Sequence, residues 1–170
     1  MQLPALVALA VGSAACVTDL RSRRIPNVLT FGAAASAVVS HAIVQGIDGL
    51  SLALGGWAVG TALFLPFFAL GGLGGGDVKL LGALGAWLGP GDAVWLALYS
   101  SMAGGGVALI VALHHGYLRT ALRNIGNLLQ FWWLVGPRPM PQATLEDSGS
   151  PRLAYAVPIF MGTVATLWLQ

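Results

Sequence analysis

The sequence predicts an all-α fold, a polytopic membrane bundle of about six transmembrane helices, and two observations carry that reading. Of 170 residues, 56% are hydrophobic and only 8% are charged, whereas an ordinary soluble domain carries roughly a quarter charged residues. The apolar residues are also gathered into long runs that nothing polar is available to cover, so lipid must satisfy them. Residues 1–170 read as a single membrane-embedded domain.

The first run, Leu3 to Thr18, has no Lys or Arg ahead of it and carries Ser13 inside a faint cleavage-site pattern where an apolar residue is required. It is therefore expected to remain as the first spanning helix and not to be removed as a signal peptide. Further runs cover Val28 to Gln45, Leu50 to Leu70, Leu80 to Gly89, Ala93 to Leu113 and Leu153 to Leu169. The breaks between them are rich in turn formers: Arg21 to Asn27, Gly46-Ile47-Asp48-Gly49, Gly71 to Asp77, Gly89-Pro90-Gly91-Asp92, and the long segment His114 to Arg152.

Alternate breaks lie on opposite sides of a membrane. With the N-terminus outside, the inner breaks hold Arg21, Arg23, Arg24, Lys79, Arg119, Arg123, Arg138 and Arg152, and the outer ones hold only Asp48 and Asp92. Every basic residue is then cytoplasmic, as the positive-inside rule requires. Asp19 and Asp77 fall on that same inner side. Within the long fifth break, Leu118, Leu122, Ile125, Leu129 and Trp132 recur at helical spacing opposite Arg119, Arg123, Asn127 and Gln130. This pattern predicts a cytoplasmic-side amphipathic helix before the last span, lying in the membrane interface or packed on the bundle. Trp132 and Trp133 would sit at headgroup level. Gly136 to Pro141 ends that helix, and Gln142 to Ser150 is expected to form a polar loop.

The net charge of +2 is spread among apolar runs and forms no stripe that could follow phosphates, which excludes a nucleic-acid partner. A single cysteine, Cys16, excludes an internal disulfide and a tetrathiolate zinc site. It reads as a small buried apolar residue.

The fourth run is short. From Asp77 to Gly89 is about twelve residues, or roughly 18 Å of helix against a hydrocarbon core near 30 Å, so the glycine loop Gly71-Gly72-Leu73-Gly74-Gly75-Gly76 is expected to dip inward and carry Asp77 below the interface. Leu3 to Thr18 covers roughly 24 Å by the same measure, which leaves Asp19 at comparable depth. Each aspartate has a plain structural explanation: Asp19 could pair with Arg21, Arg23 or Arg24, and Asp77 could be a helix N-cap. Together they point to function, because a carboxylate within the membrane costs about 2.5–3.5 kcal/mol at a helix centre and is seldom retained without use. Two neighbouring carboxylates share one proton, a state suited to acid–base cleavage of an amide without metal or organic cofactor. Gly74, Gly75 and Gly76 would let an extended substrate approach and give Asp77 freedom to adjust. Gly82, Gly85 and Gly89 suit close helix packing better.

Asp19 followed by Arg21 to Arg24 and Ile25-Pro26-Asn27, and then Gly74-Gly75-Gly76-Asp77-Val78-Lys79-Leu80-Leu81-Gly82 through Gly89, resembles the type IV prepilin peptidases, membrane aspartic proteases of the GxGD type. The resemblance covers most of the chain. It implies that Asp19 and Asp77 are the catalytic pair, with Gly74, Gly75, Gly76 and Lys79 serving substrate binding and loop flexibility. It also implies a multi-pass protein of the bacterial inner membrane that cleaves the precursor of a pilin or pseudopilin after a glycine at the cytoplasmic face. The larger relatives that also methylate the new N-terminus carry paired CxxC zinc motifs, which this chain lacks. Its size is similar to that of the peptidase-only members serving Tad/Flp pili. Leu153-Ala154-Tyr155-Ala156-Val157-Pro158 follows the family's last motif only loosely. Two other classes fit the composition: a small proton- or cation-coupled carrier, and a nonenzymatic scaffold for pilus or secretion assembly. The carrier lacks a path, because Asp48 and Asp92 lie in the outer turns, His41 is isolated, and no acidic or histidine residue of the outer half continues a relay.

Overall fold

The structure, a computed structural model, describes residues 3–116, 118–136 and 154–169. Among them the fold is wholly helical, with six helices: α1 (Leu3–Ser22), α2 (Asn27–Ala69), α3 (Gly75–Leu88), α4 (Pro90–His114), α5 (Leu118–Val135) and α6 (Ala156–Leu169). Three of them, α1, α2 and α4, are long and apolar enough to cross a membrane. Residues 137–141 of the expected 136–141 terminator, the whole 142–150 loop, Arg152 and Leu153 lie outside the described residues.

Two expected breaks shrink to one residue each. The 43 residues of α2 would extend roughly 65 Å as a straight rod, but Gly46 adopts φ 61° and ψ −134°, and the chain doubles back there. The turn is tight enough that Gly49 lies against the backbone of His41. Only a residue without Cβ adopts the Gly46 geometry at low cost, so Ile47 and Asp48 remain helical. Gly89, at φ 90°, makes the turn between α3 and α4 alone, and Pro90 opens α4 at the position where a missing N–H costs nothing.

Helix α3 is the centre of the bundle. Every residue from Leu80 to Trp87 is buried, as expected of a helix apolar all round. The first half of α2 runs parallel to it and the second half antiparallel. Asn27 and Phe31 meet Lys79 near one end, and Ala33 and His41 meet Trp87 near the other. On the second half, Gly56 packs on Gly85 and Gly60 on Leu81 at backbone contact, with Gly82 against Thr61. In lipid, where burial of apolar surface gives no drive to pair helices, such small residues gain close van der Waals packing. Large apolar side chains instead face outward, among them Val28, Ile43 and Ile47 at 80% exposure or more. Glycines at the seam between helices and large apolar side chains on the outer face fit a bundle solvated by lipid.

Helix α5 forms where the amphipathic pattern predicts it; of the expected apolar stripe, Leu122 and Ile125 are more than half exposed, whereas Leu118 and Trp132 are half-buried.

Candidate active site

Asp19 lies on α1, one turn before its end, and Asp77 in the first turn of α3. Both are buried, at 8% and 9% exposure, although Arg21, Arg23 and Arg24 beside Asp19 are all exposed. Asp19 therefore turns away from the arginines. Its Oδ2 accepts a hydrogen bond of 3.2 Å from the backbone N–H of Ala156, the first residue of α6. Asp77 is not the N-cap residue but the third residue of α3, and its Oδ2 accepts from the N–H of Gly74 at 3.2 Å. The N-terminal amides of a helix have no partner within the helix and sit at the positive end of its dipole. Each carboxylate thus meets a donor at a helix start, which offsets part of the cost of burying it. The two carboxylates lie close enough for their charges to repel.

The glycine loop is shorter than expected. Its extended end is Gly74 at ψ 146°, while Gly75 and Gly76 already belong to α3, because the helix must begin there to bring the Asp77 carboxylate back onto the Gly74 amide. Both helical glycines are packing sites as well. A Cβ on Gly76 would come within 3.3 Å of the Ile25 side chain, and one on Gly75 within 3.3 Å of the Phe68 ring. The Ile25-Pro26-Asn27 segment is clipped onto α3 at a second point, where Lys79 Nζ donates to Asn27 Oδ1 at 3.0 Å and lies 5.3 Å from the Phe31 ring centroid. The two sequence blocks that look independent along the chain are two sides of one contact. Lys79 acts there as a tie between α3 and α2.

Three neighbours were not assigned to the site from sequence, and Cys16, expected to be a small buried apolar residue, is only partly buried. Cys16, one turn before Asp19, donates its thiol to the Ala156 carbonyl at 3.2 Å and feels the Asp19 charge. Tyr155 lies within the field of Asp77 and its hydroxyl pairs with the side chain of Ser101. Since the Ser101 hydroxyl donates to the Ala97 carbonyl at 2.8 Å, it is left to accept from Tyr155. The Tyr155 ring packs edge-on against Phe64, with centroids 6.0 Å apart. The only sequence signal for these contacts is the loose motif around Tyr155 and Pro158. It marks the start of α6 without saying what that start touches.

Fold and site together define a class: a membrane-helix protein with two buried carboxylates brought together from helices far apart in the chain. The type IV leader peptidase family matches residues 6–109, a span that includes both aspartates and ends within α4. The chain belongs to that family and is a protease of the leader peptidase type. No curated protein and no solved structure matches it.

Proposed function

We propose that the protein is an aspartic endopeptidase in which Asp19 and Asp77 are the catalytic pair, and that it removes the leader peptide of prepilins or pseudopilins after a glycine at the cytoplasmic membrane face. The observation that carries this reading is the placing of two buried carboxylates, from α1 and α3, within reach of each other's charge, with a backbone donor on each.

Two carboxylates so placed hold one proton between them. The ionised member takes a proton from a water molecule as its oxygen attacks the scissile carbonyl carbon, and the protonated member gives its proton to the carbonyl oxygen. The tetrahedral intermediate then collapses: its hydroxyl returns a proton to one carboxylate, the C–N bond breaks, and the leaving nitrogen takes a proton from the other. Water is consumed, and the dyad ends with the single proton it began with. The backbone N–H groups of Gly74 and Ala156 hold one oxygen of each carboxylate throughout, which fixes their orientation without side-chain rearrangement.

The topology that accompanies this mechanism has an external N-terminus and six membrane-embedded segments, with the two halves of α2 counted separately and α5 on the cytoplasmic surface. With it, we place the protein among Tad/Flp-type leader peptidases of the bacterial inner membrane. The test is to mix detergent-solubilised protein with candidate prepilins and follow loss of the leader by mass. Cleavage that is abolished by Asp19→Asn and by Asp77→Asn supports the dyad, and full activity in either variant excludes it.

A further inference from the structure

A groove opens on the outer surface of the bundle between the second half of α2 and α4, next to the candidate active site. Phe64 and Phe67 form one wall, and Val94, Ala97, Leu98 and Ser101 form the other. The four α4 positions recur at the spacing of one helix face, and Ala97, the smallest, makes the floor between its neighbours. Phe67, Val94 and Leu98 are each about half exposed, so the trough is accessible from the lipid side.

Three features of its position matter. First, one end is joined to the site: Ser101 and Phe64 both touch Tyr155, which lies in the field of Asp77. Second, that end is level with the site. Asp77 lies about twelve residues before the Gly89 turn and Ser101 about twelve after it, so each is roughly 18 Å from the turn along its helix. Third, the groove runs from this polar end toward the Gly89 turn and becomes wholly apolar on the way.

Resting on the peptidase reading above, we infer that this groove seats the apolar helix of the precursor, with its first turn at Ser101 and Tyr155 and its scissile bond beside Asp77. A precursor of this kind changes from a polar leader to an apolar helix at the bond to be cut, and the groove makes the same change at the same depth. A lipid acyl chain has no use for a trough that ends on paired serine and tyrosine hydroxyls beside a carboxylate. The fit is one helix laid against two, with side chains entering between Phe67 and Leu98.

The single native cysteine makes the test direct. In full-length protein carrying Cys16→Ser and Asp77→Asn, Leu98→Cys is combined with a precursor bearing one cysteine moved stepwise along its apolar helix, and membranes are oxidised. Disulfides should form from Leu98→Cys at every third or fourth precursor position and not from Val39→Cys, which is similarly exposed on the first half of α2. In otherwise native enzyme, Leu98→Trp should raise KM for the intact precursor roughly tenfold with kcat little changed, the mark of binding lost equally from ground and transition states. Where the native enzyme cleaves the precursor, equal crosslinking from both positions of the inactive variant, adducts between two copies of the enzyme alone, or an unchanged KM in Leu98→Trp would overturn the groove assignment and leave the peptidase standing. A native enzyme that cleaves no precursor removes both.

Discussion

The carboxylate of Asp19 accepts a hydrogen bond from the backbone N–H of Ala156, 137 residues further along the chain. This contact makes the start of the last helix part of the site, although α6 lies outside the 6–109 segment that carries the family match. It also separates the electrostatic role of Asp19 from its structural one, since an amide oxygen can accept the same bond.

Asp19→Asn and Asp77→Asn should therefore fold. Each keeps an acceptor for Ala156 or Gly74 and removes only the capacity to carry charge or exchange a proton. Cleavage should fall by roughly 10²–10⁴-fold or more in each, while yield and thermal unfolding in detergent stay near those of the parent.

Tyr155→Phe keeps the ring contact with Phe64 and deletes the hydroxyl that Ser101 accepts. Losing one hydrogen bond of this kind corresponds to about 1 kcal/mol, or roughly a fivefold loss of activity. Ser101→Ala should cost a similar amount, and the double variant little more than either alone, because both remove the same interaction. Additive losses in kcat/KM would show that the two hydroxyls act independently.

Glycines in the bundle should divide by environment. A Cβ at Gly56 would meet the backbone of Gly85, whereas one at Gly105 meets nothing within 4 Å. Gly56→Ala should destabilise by about 1–3 kcal/mol through overpacking, and Gly105→Ala should stabilise by about 0.4–1 kcal/mol through lower unfolded-chain entropy. Unfolding midpoints in one detergent compare the two directly.

Trp87 Nε1 donates to the Ala33 carbonyl at 2.9 Å inside the bundle, and the Trp87 carbonyl in turn meets His41 Nε2 at 3.1 Å. Trp87→Phe removes the first bond and preserves most of the volume, so a loss of about 1 kcal/mol is expected. Because Trp87 lies at the far end of α3 from Asp77, kcat should be unaffected under conditions where the variant is folded.

The proposed topology is checked by reporters. A fusion after Gln170 should read as external and one inserted near Glu146 as cytoplasmic. A cytoplasmic C-terminus would reverse the faces assigned to both aspartates.

Helical character was legible in the sequence because hydropathy and positive charge are summed over long segments, and such sums tolerate local error. The runs that became α1, α2, α4 and α6 needed no knowledge of their partners, and Asp19 and Asp77 stood out because carboxylates are scarce among apolar residues. The periodicity of α5 was equally local. The turn at Gly46 was expected as a four-residue break, since sequence marks a glycine without revealing that one residue at positive φ suffices to reverse the chain. The extent of the glycine loop was likewise misjudged, because Gly75 and Gly76 become helical only when Asp77 finds the Gly74 amide and Ile25 and Phe68 occupy the space that side chains would need.

What the sequence by itself determined was which residues are too costly to bury without a reason. Tertiary structure alone decided what they meet: Asp19 the head of α6, and Asp77 the amide of Gly74 and the charge of Asp19. The physical cause of that division is range. Hydropathy acts on each segment through its contact with solvent or lipid, whereas hydrogen bonds and repulsion between carboxylates depend on distances of a few ångströms across helices that only packing brings together.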